Sequence, residues 1–242
     1  LVAQRSIAWS EVARRLAHEI KNPLTPIQLS AERLQHKLQG QLNPEQAEMI
    51  ERSTNTIIGQ VQAMKQMVNE FRDFAKTPTP NLTALDLNSL IKEIMGLYEG
   101  SAMKTTFASD CPRVMGDPTQ IRQVIHNLLQ NAQDASLEAG HAEGGIEIKT
   151  ELVPMGDVEQ SKFAVRMTIT DSGPGFQAKI LARAFEPYIT TKVKGTGLGL
   201  AVVKKIIDDH GAKIEINNRK QGDAVLGAQI SILFVNLAKE AA

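Results

Sequence analysis

Three observations predict a two-domain chain, an all-α helical hairpin forming a dimeric four-helix bundle and then an α+β sandwich. Apolar residues recur at spacings of three and four through residues 6–76, the mark of helices with one buried seam. Thr77-Pro78-Thr79-Pro80-Asn81 then breaks the pattern with residues that end regular structure. Beyond it, runs of period-2 alternation are interleaved with capped helical stretches, and antiparallel strands with helices gathered on one face make a layered sandwich. The boundaries read as 1–77 for the bundle domain, 78–84 for a linker and 85–242 for the sandwich. At 242 residues, each part is long enough to bury its own core.

The first helix covers about 6–39, with Ile20, Leu24, Ile27, Ala31, Leu34 and Leu38 as its seam. Gly40 to Asn43 form a turn. Asn43-Pro44-Glu45-Gln46 then supplies an N-cap, a proline at the first helical position and Gln at the third. The second helix runs to about Lys76 and carries Ile50, Ile57, Val61, Met64, Val68, Phe71 and Ala75 at heptad spacing. Two helices with one apolar stripe each bury those stripes poorly alone, so a homodimer is expected. In the sandwich a strand over 84–87 precedes a helix over 89–99, and strands are expected at 104–107 and 113–115. Asp117-Pro118-Thr119-Gln120 caps a helix reaching about 138. Residues 146–152 and 163–170 alternate as a hairpin. A helix over 198–210 ends at Gly211, and strands at 212–217 and 227–234 complete the domain.

Composition narrows the functions. Lys+Arg and Asp+Glu are both 27, so no global field draws the chain to nucleic acid or anionic lipid. Aromatic residues are only 4%, which argues against stacking on bases as a main function. Cys111 has no second cysteine to pair with, so an internal disulfide is excluded and a reducing compartment fits. No apolar run of about 18 residues occurs, so no direct membrane contact is expected. The chain opens at Leu1 with the helical pattern already running, which leads us to expect a fragment of something longer.

The run Ala17-His18-Glu19-Ile20-Lys21-Asn22-Pro23-Leu24 places an imidazole, a carboxylate and an amide on adjacent turns of one helix. His18 lies roughly 200° around the helix from the seam at Ile20 and is expected to face solvent. An exposed His-Glu pair is ordinary by itself. A zinc site of the His-Glu-x-x-His type is excluded, because Asn22 stands where the second His would be. Pro23 and Pro26 each remove a helical hydrogen bond at a cost of about 3 kcal/mol, which a purely structural helix would avoid.

The sandwich carries four further elements. Asn127, Asn131 and Asp134 share one face of the capped helix. Amide oxygens there can hold Mg²⁺ without adding full negative charge beside a triphosphate. Asp171-Ser172-Gly173-Pro174-Gly175-Phe176 follows a strand. Its carboxylate can accept the exocyclic amine of adenine, while Gly173 and Gly175 let the backbone approach the ring. Gly195-Thr196-Gly197-Leu198-Gly199-Leu200 opens the last long helix, where amides and the helix N-terminus make a phosphate cradle. It is not a Rossmann fingerprint, because the spacing differs and no strand leads into it, and no P-loop occurs anywhere. Phe185-Glu186-Pro187-Tyr188-Ile189-Thr190-Thr191-Lys192 lies between the two glycine loops, where a lid would close and Lys192 could reach the terminal phosphates.

In their order, these motifs resemble the H, N, G1, F and G2 boxes of bacterial two-component sensor histidine kinases. The wording around His18 and the short lid resembles the nitrogen-regulation group of the NtrY/NtrB kind, and the likeness covers nearly the whole chain. The resemblance implies a dimerisation and phosphotransfer bundle followed by a Bergerat-type (GHKL) ATP-binding sandwich. It implies His18 as phosphoacceptor, Glu19 as its orienting base and Asn22 as the residue that positions water for phosphatase action. Asn131 would be the principal Mg²⁺ ligand with Asn127 beside it, and Asp171 would read adenine. The implied cofactors are ATP and Mg²⁺, and the implied partners are a second copy and the receiver domain of a response regulator. The chain would then be the cytoplasmic part of a membrane-anchored bacterial sensor. Pro23 is expected to loosen the helix so that the His18 segment can bend. Many members carry a basic or aromatic residue where this chain has Asp134 and Ala135, which shifts phosphate contact onto Lys192 and the helix start at Gly197. The alternative is a GHKL-type ATPase driving conformational change. Those ATPases carry a water-activating Glu four residues before the equivalent of Asn131, where this chain has Asn127. Without that base, ATP should be held for a protein nucleophile rather than hydrolysed.

Overall fold

A computed structural model describes residues 2–76, 79–98, 103–140, 145–155, 162–190, 192 and 196–239, with the backbone alone described at 2–16, 18, 70 and 73–76. Packing divides the chain into two units, residues 1–77 with 191–198, and residues 78–190 with 199–242.

The first unit is built on α1 (Val2–Leu38) and α2 (Pro44–Lys76). The Asn43 side chain caps α2 by accepting the Gln46 amide at 2.9 Å, and Gly40 supplies the left-handed residue of the turn at φ 76°. Pro23 and Pro26 both sit inside α1, which runs on past them. The expected seam divides in two. Ala17, Leu24 and Ala31 are buried at 2%, 4% and 6% exposure, whereas Ile20, Ile27 and Leu34 are left at 41%, 46% and 48%. On α2, Thr54, Val61 and Val68 are buried while Ile57 and Met64 stay exposed. Each row repeats every seven residues, as a two-helix contact requires, and a single hairpin covers only one row per helix.

The second unit begins with β1 (Thr83–Leu85) and α3 (Leu87–Met95), followed by a single 3-10 turn at Gly96–Tyr98. This helix starts two residues earlier than the sequence suggests, because Asp86 caps it by accepting the Ser89 amide at 2.9 Å. Next come β2 (Met103–Thr106), β3 (Val114–Gly116) and α4 (Pro118–Glu138). The chain continues with β4 (Ile146–Met155), β5 (Lys162–Thr170), a one-turn α5 (Ala178–Leu181) that periodicity did not show, α6 (Gly199–Asp209), β6 (Lys213–Gln221) and β7 (Ala224–Phe234). Strands β1 and β3 pair in a small antiparallel sheet of their own. The main sheet has the order β2-β4-β5-β7-β6. It is a run of antiparallel strands, as expected, except at its edge, where β2 pairs parallel to β4. The last two strands are longer than predicted because Gly222, at φ 61°, lets them turn back tightly.

One face of this sheet carries Ile148, Met167, Ile169, Ile230 and Ile232, all buried. Helices α4 and α6 pack on it, burying Ile121, Ile125, Leu128 and Leu129 of α4 and Ile206 and Ile207 of α6, and α3 packs beside α4 with Ile91 and Ile94 buried. The opposite face is polar and bears an ion-paired row in which Glu151 meets both Lys149 and Arg166. A sheet with one dry and one wet face gives the alternation seen in its strands.

Candidate functional site

The helix carrying Ala17–Leu24 turns Ala17 and Leu24 inward and leaves Glu19 and Asn22 exposed. The His18 side chain lies outside the described residues. Pro23 and Pro26 have no N–H to offer the carbonyls of Glu19 and Asn22, four residues back in each case. The helix ladder is therefore thinned at the two polar members of the motif.

Helix α4 is fixed at its start by Asp117, whose Oδ1 accepts the amides of Thr119 at 2.9 Å and Gln120 at 3.2 Å. The Asp117 amide donates in turn to Nε2 of the buried His210 at 3.0 Å. Since Nε2 accepts, the proton sits on Nδ1, which donates to the Ile206 carbonyl at 2.7 Å. One imidazole thus ties the start of α4 to the end of α6. Burial pushes the Asp117 carboxyl up, but the amides of Asn81, Gln120 and Thr119 outweigh it and hold the group below the usual carboxylate range. Asn127, Asn131 and Asp134 are all half-buried along one face of α4, and Asp134 accepts the Gln130 side-chain amide at 2.9 Å. A Cβ placed on Gly199 would stand 3.9 Å from Nδ2 of Asn131, so the first residue of α6 lies directly beside that amide.

The loop after β5 is held more tightly than its sequence suggests. Asp171 is buried, and its Oδ1 accepts two main-chain amides, Gly173 and Ala228, each at 2.9 Å. Gly173 also meets a packing demand within the fold. A Cβ there would stand 2.9 Å from the carbonyl carbon and oxygen of Ala135, so glycine is needed for the loop to lie against α4. Gly175, at φ 70°, sits against Asn218 and Val225. Gly227, at φ 141°, passes the main chain of Asp171 where no side chain fits.

In the expected lid, Phe185 is half-buried, with the Lys204 ammonium 6.0 Å from its ring centroid. Arg183 donates to Glu186 from Nε at 2.9 Å and Nη2 at 2.6 Å, which holds the Glu186 carboxyl below its ordinary value. Tyr188 is exposed in the left-handed region at φ 67°. Thr191 and Gly195 lie outside the described residues. Lys192, Thr196, Gly197 and Leu198 belong to the first unit, where Thr196 Oγ1 accepts the Leu198 amide at 3.3 Å and Gly197 has φ 69°.

Asn218, Arg219, Gly227 and His210 escape a reading of the sequence. Only Gly227 leaves a trace, as an isolated glycine at the start of an expected strand, which signals a close backbone approach. Among the described residues, no group of three or more His, Cys, Asp or Glu could hold a metal ion, and no helix is long and apolar enough to cross a membrane.

Residues 116–237 match the family described as histidine kinase-, DNA gyrase B- and HSP90-like ATPase, and residues 8–80 match the His Kinase A (phospho-acceptor) domain. The chain is 40% identical over 227 residues to the nitrogen regulation protein NtrY of Azorhizobium caulinodans, covering 91% of this chain and 28% of that protein. It is 37% identical over 241 residues to a putative NtrY-like sensor histidine kinase of Rickettsia bellii, covering 96% of this chain and 37% of that one. The chain therefore spans about a third of the length of these relatives. Among solved structures, the catalytic domain of histidine kinase ThkA is 33% identical, with a TM-score of 0.51 over 64% of this chain and 98% of that one. Full-length ShkA, solved with AMPPNP, shares the fold at a TM-score of 0.67 and 22% identity, covering 96% of this chain and 47% of its own. With a phospho-acceptor helical region joined to an ATPase domain of this family, and with NtrY and NtrY-like proteins among its relatives, the chain belongs to the sensor histidine kinases.

Proposed function

We propose that the chain is the catalytic core of a homodimeric sensor kinase that transfers the γ-phosphoryl group of ATP to His18. The phosphoryl group then passes to an aspartate on the receiver domain of a response regulator. The observation that carries this reading is the carboxylate of Asp171. It is buried at a strand end and fixed through Oδ1 by two main-chain amides, within a backbone crowded enough to demand glycine at 173, 175 and 227. A rigid acceptor in a cradle of bare backbone suits a planar ring with an amine at its edge.

Phosphate and metal would be met on the neighbouring face. The side-chain amides of Asn127 and Asn131 offer neutral oxygens, and the start of α6 beside Asn131 offers main-chain N–H groups to anionic oxygens. Mg²⁺, when bound, neutralises triphosphate charge. Asp134, Phe185, Thr191, Lys192, Gly195, Thr196, Gly197, Leu198 and Gly199 complete the nucleotide-binding set in this reading. Nε2 of His18 attacks the γ-phosphorus, the bond to the bridging oxygen of the departing ADP breaks, and Glu19 accepts the proton from Nδ1, which leaves a neutral phosphoimidazole. Asn22 orients water when the phosphorylated partner is dephosphorylated. The exposed rows Ile20, Ile27, Leu34 and Ile57, Met64 support the homodimer, because a second hairpin would bury them. The core would belong to the cytoplasmic side of a membrane-anchored sensor, with the sensing part elsewhere in the protein.

The test is incubation with γ-labelled ATP and Mg²⁺, comparing the chain with His18→Gln and then treating the product with acid and alkali. Label lost in acid, kept in alkali and absent from the variant establishes a phosphohistidine. Free phosphate released equally by both proteins, without label, would instead show an ATPase that drives conformational change.

A further inference from the structure

Strand β6 reaches across to the Asp171–Phe176 loop with two adjacent side chains. Asn218 lies opposite Ala228 in the sheet register. Its Oδ1 accepts the Phe176 amide at 2.8 Å, and its Nδ2 donates to the Phe176 carbonyl at 2.7 Å. One carboxamide therefore satisfies both main-chain groups of a residue that has no strand partner, as a neighbouring strand would. Arg219, next in the chain, donates from Nη2 to the Asp171 carbonyl at 2.7 Å and to the Leu226 carbonyl at 3.3 Å. The loop is thus anchored at both ends from the same strand. Between the anchors the loop has no strand ladder. It is held at its near end, where Ser172 Oγ donates to the Gly145 carbonyl at 3.2 Å and the Gly173 amide to Asp171 Oδ1 at 2.9 Å. That leaves Asn218 as the hold on its far end at Phe176.

We propose that Asn218 is a positioning residue for adenine recognition. By tying down Phe176, while Arg219 ties down the Asp171 main chain, it sets where the loop beside the Asp171 carboxylate stands. The inference rests on reading Asp171 as the acceptor of the adenine amine. The chemistry explains why asparagine is needed. Only a carboxamide of this length presents a donor and an acceptor side by side. Serine can make one of the two bonds, and aspartate would set a carboxylate against the Phe176 carbonyl. Loss of the clamp lowers the fraction of molecules with the loop in place, and the apparent affinity falls with it.

The experiment measures dissociation constants for ATP and for inosine triphosphate, which has an oxygen in place of the amine. It uses the full chain and its Asn218→Ala, Asn218→Ser, Asn217→Ala and Asp171→Asn variants, each checked for folding by thermal melting. The chain should prefer ATP. Asn218→Ala should weaken ATP about tenfold, on the scale of one to two neutral hydrogen bonds, and inosine triphosphate less than about threefold. Asn218→Ser should fall between, and it carries the test if the alanine variant does not fold. Asn217 is exposed on the same strand, and its alanine variant should leave both constants within about twofold. Equal weakening of both nucleotides by a folded Asn218 variant, or none, overturns the proposal while Asp171→Asn still abolishes the preference. If the chain shows no preference and Asp171→Asn leaves ATP binding unchanged, the adenine reading of Asp171 fails and the proposal falls with it.

Discussion

Gly227 passes so close to Asp171 that a Cβ on it would overlap the Asp171 carbonyl oxygen and reach within 3.1 Å of Oδ1. Its φ of 141° is also one that side chains rarely adopt. Gly227→Ala should therefore push the carboxylate out of place and destabilise the second unit by about 1–3 kcal/mol. Nucleotide affinity should drop with it, as read by calorimetry alongside a thermal melt. Retention of full affinity would show that the close approach is incidental.

His210 should be a stability residue. It is 2% exposed and links the Asp117 amide to the Ile206 carbonyl. His210→Ala leaves a buried amide without its acceptor and opens a cavity, at a cost of about 2–4 kcal/mol in chemical denaturation. Labelling of His18 at low temperature should persist in whatever fraction remains folded.

The acid limb of stability should trace to Asp117. Its carboxyl lies below the ordinary range because three main-chain amides outweigh the effect of burial. A group depressed on folding stabilises the protein above its unfolded pKa, near 3.9, and that contribution is lost as pH falls through the folded value. Denaturant midpoints should accordingly decline below about pH 4. Asp117→Asn, which still accepts amides but carries no charge, should be less stable at neutral pH and show a shallower decline.

The second apolar row of each helix yields a prediction about assembly. Ile27 and Leu34 are 46% and 48% exposed, one heptad apart. Replacing both with Asp should turn a dimer into a monomer in sedimentation. The buried row of Leu24 and Ala31, and hence the helicity of the hairpin, should be spared. A dimer that survives both substitutions would place the interface elsewhere.

Much of the fold is legible in local sequence chemistry. The caps at Asn43 and Asp117 announced α2 and α4, and both side chains accept the amides that such caps require. Asp86 is a cap of the same kind, yet it falls inside a stretch whose alternation suggests a strand. That alternation hides the first turn of α3, which starts at Leu87 rather than two residues later. The glycines of the Asp171 loop were conspicuous, but the reason for Gly173 was not, because its neighbour Ala135 belongs to a different helix.

Local sequence is enough for the period of the long helices, most strand positions, the hairpin turn and the order of the polar motifs. All of these follow from interactions within a few residues, where spacing and side-chain chemistry leave little choice. The tertiary structure alone decided that β2 runs parallel to β4, that His210 joins two helices, and that Asn218 and Arg219 hold the loop carrying Asp171. Asn218 and Arg219 lie 42 and 48 residues along the chain from the groups they bind. Alternation along a strand reveals which face a residue takes but not which neighbour it meets, and only the packed strand order brings these groups within hydrogen-bond reach.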